Sequence, residues 1–187
     1  MNITLIGMKH CGKTTLGAAL AARWRCPFHD VDQLIESHYA CDTGERLGFR
    51  EIFARRGEDY FLELETKVVC ELYLRLNESK TPHVIAVGGR TVLNKKVNDL
   101  LSALGLIVYL EVSSEELFAR VTHAGLPPFL DEKDPAKHFL DLCRERTPHY
   151  RCLANLTVNL DGTDATAALE KLCYAIKQRS GEMHTDA

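Results

Sequence analysis

A run of glycine, lysine and threonine near the start of the chain has the spacing of a phosphate-binding loop. Gly7, Gly12, Lys13 and Thr14 fit the pattern G-x-x-x-x-G-K-[ST]. The glycines of such a loop let backbone N–H groups surround phosphate oxygens, because a Cβ would block the approach. The lysine reaches the β- and γ-phosphates, and the threonine hydroxyl binds Mg²⁺. The pattern therefore predicts a site for ATP and Mg²⁺, and we place the next residue, Thr15, in the same site.

Two aspartates follow at the end of the second expected strand, in the segment FHDVD. Their alternate spacing directs Asp30 and Asp32 to the same side, toward the phosphate loop. One carboxylate can hold Mg²⁺ through water, and the other can accept a hydrogen bond or a proton from a substrate hydroxyl. The alternative is that Asp32 only caps the next helix.

A glycine pair, Gly88 and Gly89, ends the third expected strand. Bare backbone at this point lets a ligand approach and supplies N–H donors. A plain turn between strand and helix is the competing interpretation. The pair indicates a ligand-binding edge only in combination with the phosphate loop.

Alternating strands and helices position these residues. Strands are expected at residues 2–6, 28–31, 83–87, 106–112 and 156–160. Helices are expected at residues 13–25, 32–40, 46–56, 58–76, 94–104, 113–121, a stretch ending near 146, and 163–179. This order predicts an α/β fold with a parallel sheet covered on both faces. Such a sheet binds ligands outside the carboxyl ends of its strands.

The composition is that of one globular domain. We expect the domain at residues 1–179 and a disordered tail at 180–187. The net charge of −3 gives no reason to expect nucleic acid or an acidic membrane as a partner. No apolar stretch approaches the roughly 20 residues of a membrane span. The 7 cysteines contain no C-x-x-C pair, which favours a reduced cytoplasm. We expect a monomer that acts on a small molecule.

Together these segments resemble the shikimate kinase family of P-loop small-molecule kinases. The segments TTLGAALA, FHDVD, EIFARRGEDYF, VGG, VYLEV and RTPHY occur in the family's order. The resemblance implies a three-layer α/β/α P-loop fold with a five-stranded parallel sheet, a helical substrate-binding region at about 32–63 and a lid at about 121–134. It also implies transfer of the ATP γ-phosphate to a hydroxyl of a carboxylated cyclic polyol, with shikimate as the first expected acceptor.

The resemblance gives the motif residues roles by position. The residues expected to bind ATP are Gly7, Gly12, Lys13, Thr14, Thr15 and Arg120, the last of them near the adenine. The expected Mg²⁺ ligands are Thr14 and Asp30. The residues expected to bind the acceptor are Asp32, Gly88, Gly89 and Arg146, the last of them facing its carboxylate. Lys13 and Asp32 are expected to act in catalysis, Asp32 by orienting or deprotonating the acceptor hydroxyl.

Three positions depart from the family's pattern. Leu62 stands where the family has an arginine that clamps the substrate carboxylate, Arg90 replaces the third glycine of a triplet, and Pro127 replaces a lid arginine. A guanidinium pairs with a carboxylate in a bidentate way that leucine cannot reproduce. Losing a cation beside a transferring phosphoryl group can lower the rate by orders of magnitude.

Two interpretations of these departures stay open. In the first, Arg90 binds the acceptor in place of the lost arginine, and His123 or Lys133 serves the lid. In the second, the acceptor is gluconate-like or nucleotide-like, or the chain is a nucleotide-binding regulatory module without turnover.

Overall fold

The structure is a computed structural model that describes residues 1–123 and 133–182. Its sheet has five strands in the order β2-β3-β1-β4-β5, and every neighbouring pair is parallel. The strands are β1 (Asn2–Ile6), β2 (Phe28–Asp30), β3 (Val84–Ala86), β4 (Gly105–Glu111) and β5 (Leu156–Asn159). The predicted five-stranded parallel sheet is thereby confirmed.

Helices cover both faces of this sheet. They are α1 (Lys13–Trp24), α2 (Val31–Thr43), α3 (Phe49–Asn77), α4 (Lys95–Leu104), α5 (Ser114–His123), α6 (Pro135–Leu153) and α7 (Ala165–Glu182). Four consecutive residues of the central strand, 3–6, are fully buried, so side chains on both of its faces pack against other elements. Within the described ranges, no helix combines the length and apolar character needed to cross a membrane.

Helix α3 consists of two arms separated at Gly57. This residue has φ 81° and ψ 175°, a conformation that glycine adopts without strain. The break falls between the two helices expected at 46–56 and 58–76. The first arm begins after Gly48, whose N–H donates to the Glu51 carboxylate at 3.0 Å. The kink therefore lies within the expected substrate-binding region of about 32–63, and α3 packs against α2 and α4.

Two helices extend beyond their expected ends. Helix α6 continues through Pro148 to Leu153 instead of ending near 146, because Tyr150 is fully buried and anchors the last turns. Residues 180–182, expected in the disordered tail, are the end of α7, where the Ser180 hydroxyl donates to the Ile176 carbonyl at 2.9 Å. Most of the expected lid, including Pro127, lies outside the described residues. Residues 183–187 also lie outside them.

Candidate functional site

The phosphate loop connects β1 to α1 in a conformation that depends on its glycines. Gly7 has φ 146° and Gly12 has φ 100°. A Cβ on Gly7 would lie 2.8 Å from the Leu110 carbonyl oxygen and 2.9 Å from the Cys11 sulfur. Both contacts are closer than van der Waals distance, so a side chain at Gly7 would displace the loop from β4. The loop thus brings its backbone to the amino end of α1, where an anion is stabilised.

Lys13 is held against the loop by backbone carbonyls. Its Nζ donates to the carbonyl oxygens of Gly7 at 2.9 Å and Met8 at 3.0 Å. The side chain is only 9% exposed. Its charge lowers the pKa of the neighbouring Asp32 carboxyl. A fixed, partly desolvated ammonium group at this place can stabilise negative charge on a phosphoryl group.

Thr14 and Asp30 form an oxygen pair beside the loop. The Thr14 hydroxyl donates to one Asp30 carboxylate oxygen at 2.8 Å. The other oxygen accepts from the backbone N–H groups of Asp32 at 3.0 Å and Gln33 at 3.5 Å. Asp30 is therefore the N-cap of α2, and the alternative that Asp32 is the cap was wrong. Hydroxyl and carboxylate oxygens are suitable ligands for Mg²⁺, so the pair fits this ion.

Asp32 lies in the first turn of α2. Its carboxylate faces the turn formed by Gly88 and Gly89, called the glycine turn below. Strand β2 ends at Asp30, one residue earlier than predicted. Both aspartates nevertheless lie at the same edge of the sheet. A Cβ on Gly88 would lie 2.8 Å from an Asp32 carboxylate oxygen. Burial first, and then the charges of Asp30, Glu65 and Glu36, raise the pKa of Asp32 to about 6, against the opposing effect of the lysine. The carboxyl is a proton acceptor poised close to neutral pH.

The glycine turn connects the site to three other elements. A Cβ on Gly89 would lie 3.4 Å from the backbone N of Lys9, so this turn runs beside the phosphate loop. The hydroxyl of Tyr150 in α6 donates to the Gly89 carbonyl. The ring of Tyr150 stacks on Tyr109 of β4, with 5.2 Å between centroids. The phosphate loop and α6 therefore meet at this turn, and the Tyr150 ring links it to β4.

Glu65 of α3 is a site residue that the sequence-based assignment missed. The side chain is 3% exposed, and its carboxylate accepts from the Thr91 hydroxyl at 2.7 Å and the Asn94 amide at 2.9 Å. Burial raises the pKa of Glu65, and these hydrogen bonds and the charge of Arg90 oppose the shift. A signal was present, since Glu65 falls on the apolar face of α3 four residues after Phe61 and three before Val68.

Arg146 on α6 has an unsatisfied polar atom. Its Nε is buried and has no hydrogen-bond partner among the described residues. The guanidinium charge acts on the Tyr150 phenol, one helical turn further along, where it opposes the rise in pKa caused by burial. Because buried donors are normally paired, an orphan guanidinium N–H beside this tyrosine fits an anionic ligand.

Arg90 and Arg120 lie on different sides of the site. The Arg90 guanidinium pairs with Glu58 at 2.5 Å and stacks over the Phe53 ring, 5.1 Å from its centroid. Arg120 donates to the carbonyl oxygen of His10 in the phosphate loop at 3.2 Å and pairs with Glu116. The first arginine therefore borders α3, and the second borders the nucleotide loop.

Thr15 is exposed in the first turn of α1, next to Thr14. Leu62 is half-buried in α3, and its carbonyl accepts from the Asn94 amide at 3.2 Å. His123 and Lys133 are exposed and border the segment 124–132, which the structure does not describe.

Comparison with known proteins gives consistent matches over nearly the whole chain. The family model for shikimate kinase matches residues 9–177. Shikimate kinase 1 of Escherichia fergusonii is 33% identical over 177 residues, which cover 94% of this chain and 96% of that protein. A solved shikimate kinase from Acinetobacter baumannii, in complex with shikimate, has a TM-score of 0.80 and 29% identity over 95% of this chain and 93% of that one. A gluconokinase from Sinorhizobium meliloti 1021 has a TM-score of 0.60 and 16% identity over 100% of this chain and 97% of that one, a likeness of fold alone.

Proposed function

The chain belongs to the shikimate kinase family, and from this we propose that it transfers the γ-phosphate of ATP to a hydroxyl group of shikimate. One observation carries the proposal beyond family membership. The Asp32 carboxyl, whose pKa is raised to about 6 chiefly by burial, faces the bare backbone of Gly88 and is close enough to Lys13 of the phosphate loop to feel its charge. A hydroxyl group placed there would face both a proton acceptor and the phosphate site.

We assign the donor side of the reaction to the phosphate loop. The backbone of Gly7 and Gly12, with Thr15 beside them, would bind the phosphates, and Arg120 would lie near the adenine. Lys13 would stabilise the charge that develops on the transferred phosphoryl group. Mg²⁺ held by Thr14 and Asp30 would supply further neutralisation of the phosphate oxygens when bound.

We assign the acceptor side to Asp32 of α2, the segment 88–90 and Arg146 of α6. Asp32 would orient the hydroxyl and accept its proton, for which a pKa of about 6 is well suited. The N–H groups of the Gly88–Gly89 turn would face the ligand. Arg146, with its orphan Nε, and Arg90 would bind the carboxylate.

The test is ADP release by the purified protein with Mg²⁺ and ATP. We expect release to depend on shikimate and to be far slower with gluconate or a nucleoside monophosphate. Lys13→Ala and Asp32→Asn should each lower kcat by at least about 100-fold. Exposed Lys95→Ala and Asp99→Asn on α4 are the matched controls and should retain wild-type rates.

Three other outcomes would contradict the proposal in different ways. Faster turnover of gluconate or a nucleotide would move the assignment to another acceptor. ATP binding without turnover of any acceptor would indicate a regulatory module, the alternative suggested by Leu62 and Pro127. Full activity of Asp32→Asn would remove the proposed role of this carboxylate. A monomeric state and a cytoplasmic location stay predictions.

A further inference from the structure

Two contacts hold the side chain of Arg90 in place, but they leave part of its guanidinium group accessible. Its guanidinium pairs with Glu58 and lies over the Phe53 ring, and 48% of the side chain is exposed. Glu58 is itself 55% exposed and directly follows the kink at Gly57. An exposed ion pair of this kind contributes little stability and exchanges partners readily. The guanidinium is therefore positioned by the aromatic ring and remains available to another carboxylate.

Arg90 lies against the aromatic residues of α3. Phe53, under the guanidinium, packs edge-to-face on Phe61 with 5.6 Å between centroids, and Phe61 directly precedes Leu62. The charge of Arg90 also reaches the buried Glu65 carboxyl, whose pKa it lowers. The Arg90 charge is thus felt at a carboxyl buried next to the glycine turn, although nearly half of the arginine side chain is exposed.

A second guanidinium borders the same turn from the opposite element. Arg90 follows Gly89, whose carbonyl accepts from Tyr150 of α6. Arg146 precedes that tyrosine by one helical turn and has an unpaired, buried Nε. Arg146 is thus connected to the turn through Tyr150, and Arg90 directly follows the turn, so both are candidates to pair with a carboxylate bound there.

The other ionisable groups around the acceptor position are acidic. A Cβ on Gly88 would lie 2.8 Å from an Asp32 carboxylate oxygen, and the Glu65 carboxylate accepts from Thr91 just after the turn. An acceptor bearing a carboxylate would be repelled there unless a cation offset the charge. The Lys13 ammonium already donates to the Gly7 and Met8 carbonyls, and Arg90, which directly follows Gly89, is another cation beside the turn.

We propose that Arg90 is the residue that recognises the acceptor's carboxylate, and that Glu58 is its resident partner, which the substrate carboxylate replaces. The inference rests on the proposed function, since it names the specificity-determining contact of that site. Glu58 keeps the guanidinium oriented, and its own carboxylate returns to solvent when the substrate binds.

Steady-state kinetics of Arg90→Gly tests the recognition step. We expect the KM for shikimate to rise by about 10- to 100-fold, the loss typical of a charge-assisted hydrogen bond, with the KM for ATP unchanged. Arg90→Lys should recover only part of the loss, and adding Leu62→Arg to Arg90→Gly should recover most of it. The exposed Arg144→Ala on α6 serves as the matched control and should behave as wild type.

The methyl ester of shikimate separates recognition from a structural effect. Because the ester has no negative charge, wild type and Arg90→Gly should have the same kcat/KM with it. An equal loss on acid and ester would overturn the proposal and make Arg90 a packing residue. Glu58→Gln should lower the KM for shikimate by about 2- to 5-fold, since the competing carboxylate is gone; a higher KM would overturn the role of Glu58.

Failure of this inference can be told from failure of the proposed function. If wild type binds ATP but does not phosphorylate shikimate, the proposed function fails. If wild type is active and Arg90→Gly retains the wild-type KM for shikimate, only the assignment of Arg90 fails.

Discussion

The ionised Asp32 carboxylate lowers the stability of the folded state, and the same carboxylate is the proposed proton acceptor. Burial and the charges of Asp30, Glu65 and Glu36 disfavour its ionised form, and only Lys13 opposes them. A group with a raised pKa in the folded state stabilises the protein less as pH rises from the unfolded value of 3.8 to the folded value of about 6. Above that range the ionised carboxylate is a net cost, retained because the proposed reaction needs a proton acceptor.

Asp32→Asn should accordingly stabilise the protein at neutral pH while it abolishes activity. We expect the thermal midpoint at pH 7, without nucleotide, to rise by a few degrees, because the amide carries no charge to desolvate. Near pH 4 the difference should shrink, since the wild-type carboxyl is then protonated in the folded state. Differential scanning calorimetry at both pH values measures this. The assigned environment would be contradicted if the midpoint of the variant minus that of wild type were smaller at pH 7 than at pH 4.

At the residue scale, the sequence indicated which side chains lie at the carboxyl edge of the sheet. It was less informative about the contacts that each side chain makes. The spacing of Asp30 and Asp32 predicted that both point toward the phosphate loop; in the structure Asp30 contacts Thr14, and Asp32 faces Gly88. It did not predict that Asp30 caps α2, because the boundary between strand and helix moved by one residue. Glu65 was missed because a carboxylate on an apolar helix face is assigned a role only when its partners, Thr91 and Asn94, are known.

At the scale of elements, a buried hydrogen-bond network ties α3 to the glycine turn. The Glu65 carboxylate accepts from Thr91 and Asn94, which follow the turn, and the Thr91 hydroxyl lies 3.1 Å from where a Cβ of Gly88 would be. The amide of Asn94 also donates to the Leu62 carbonyl at 3.2 Å. The long arm of α3 therefore sets the position of the backbone that we expect to face the acceptor.

Removal of this network should cost both stability and acceptor binding. Glu65→Ala leaves the buried Thr91 hydroxyl without its acceptor and takes one acceptor from the Asn94 amide, so we expect the free energy of unfolding to fall by about 1–3 kcal/mol in urea titrations. Glu65→Gln keeps an acceptor oxygen and should lose less. Glu63→Ala, exposed on the same helix, is the control and should stay within about 0.5 kcal/mol of wild type. Equal effects of the two alanine variants would show that the network contributes no stability.

At the scale of the whole molecule, the parallel sheet gathers the site at one edge. The phosphate loop, the aspartates and the glycine turn each follow a strand, β1, β2 or β3, and these strands are neighbours in the sheet. Strand alternation and motif spacing made this arrangement predictable, since parallel strands align their carboxyl ends. Contacts such as Tyr150 with Gly89, separated by 61 residues, were not predictable from local pattern because they depend on how α6 packs.

A histidine pair on the edge of the sheet should make global stability pH-dependent. His29 of β2 and His83 before β3 share a hydrogen bond of 3.0 Å between ring nitrogens, and their rings stack. Burial, then the charges of His83 and Arg75, lower the pKa of His29 to about 4. As pH falls from 6.5 toward 4, the unfolded chain takes up a proton that the folded chain refuses, so stability falls.

Unfolding in urea between pH 7 and pH 4.5 tests this effect. His29→Gln should show a shallower loss of unfolding free energy with falling pH than wild type, whatever its absolute stability. His149→Gln, at an exposed position on α6, should keep the wild-type slope. Identical slopes for all three proteins would contradict the role assigned to the pair.

The central claim, phosphoryl transfer from ATP to shikimate at the Asp32 site, is tested most directly by identifying the product. Purified protein is incubated with Mg²⁺, ATP and shikimate, and the mixture is followed by ³¹P NMR and mass spectrometry, with Asp32→Asn in parallel. We predict that wild type forms a shikimate monophosphate ester in step with ADP and that the variant forms essentially none. Binding of ATP by wild type with no phosphorylated shikimate at millimolar acceptor would contradict the account.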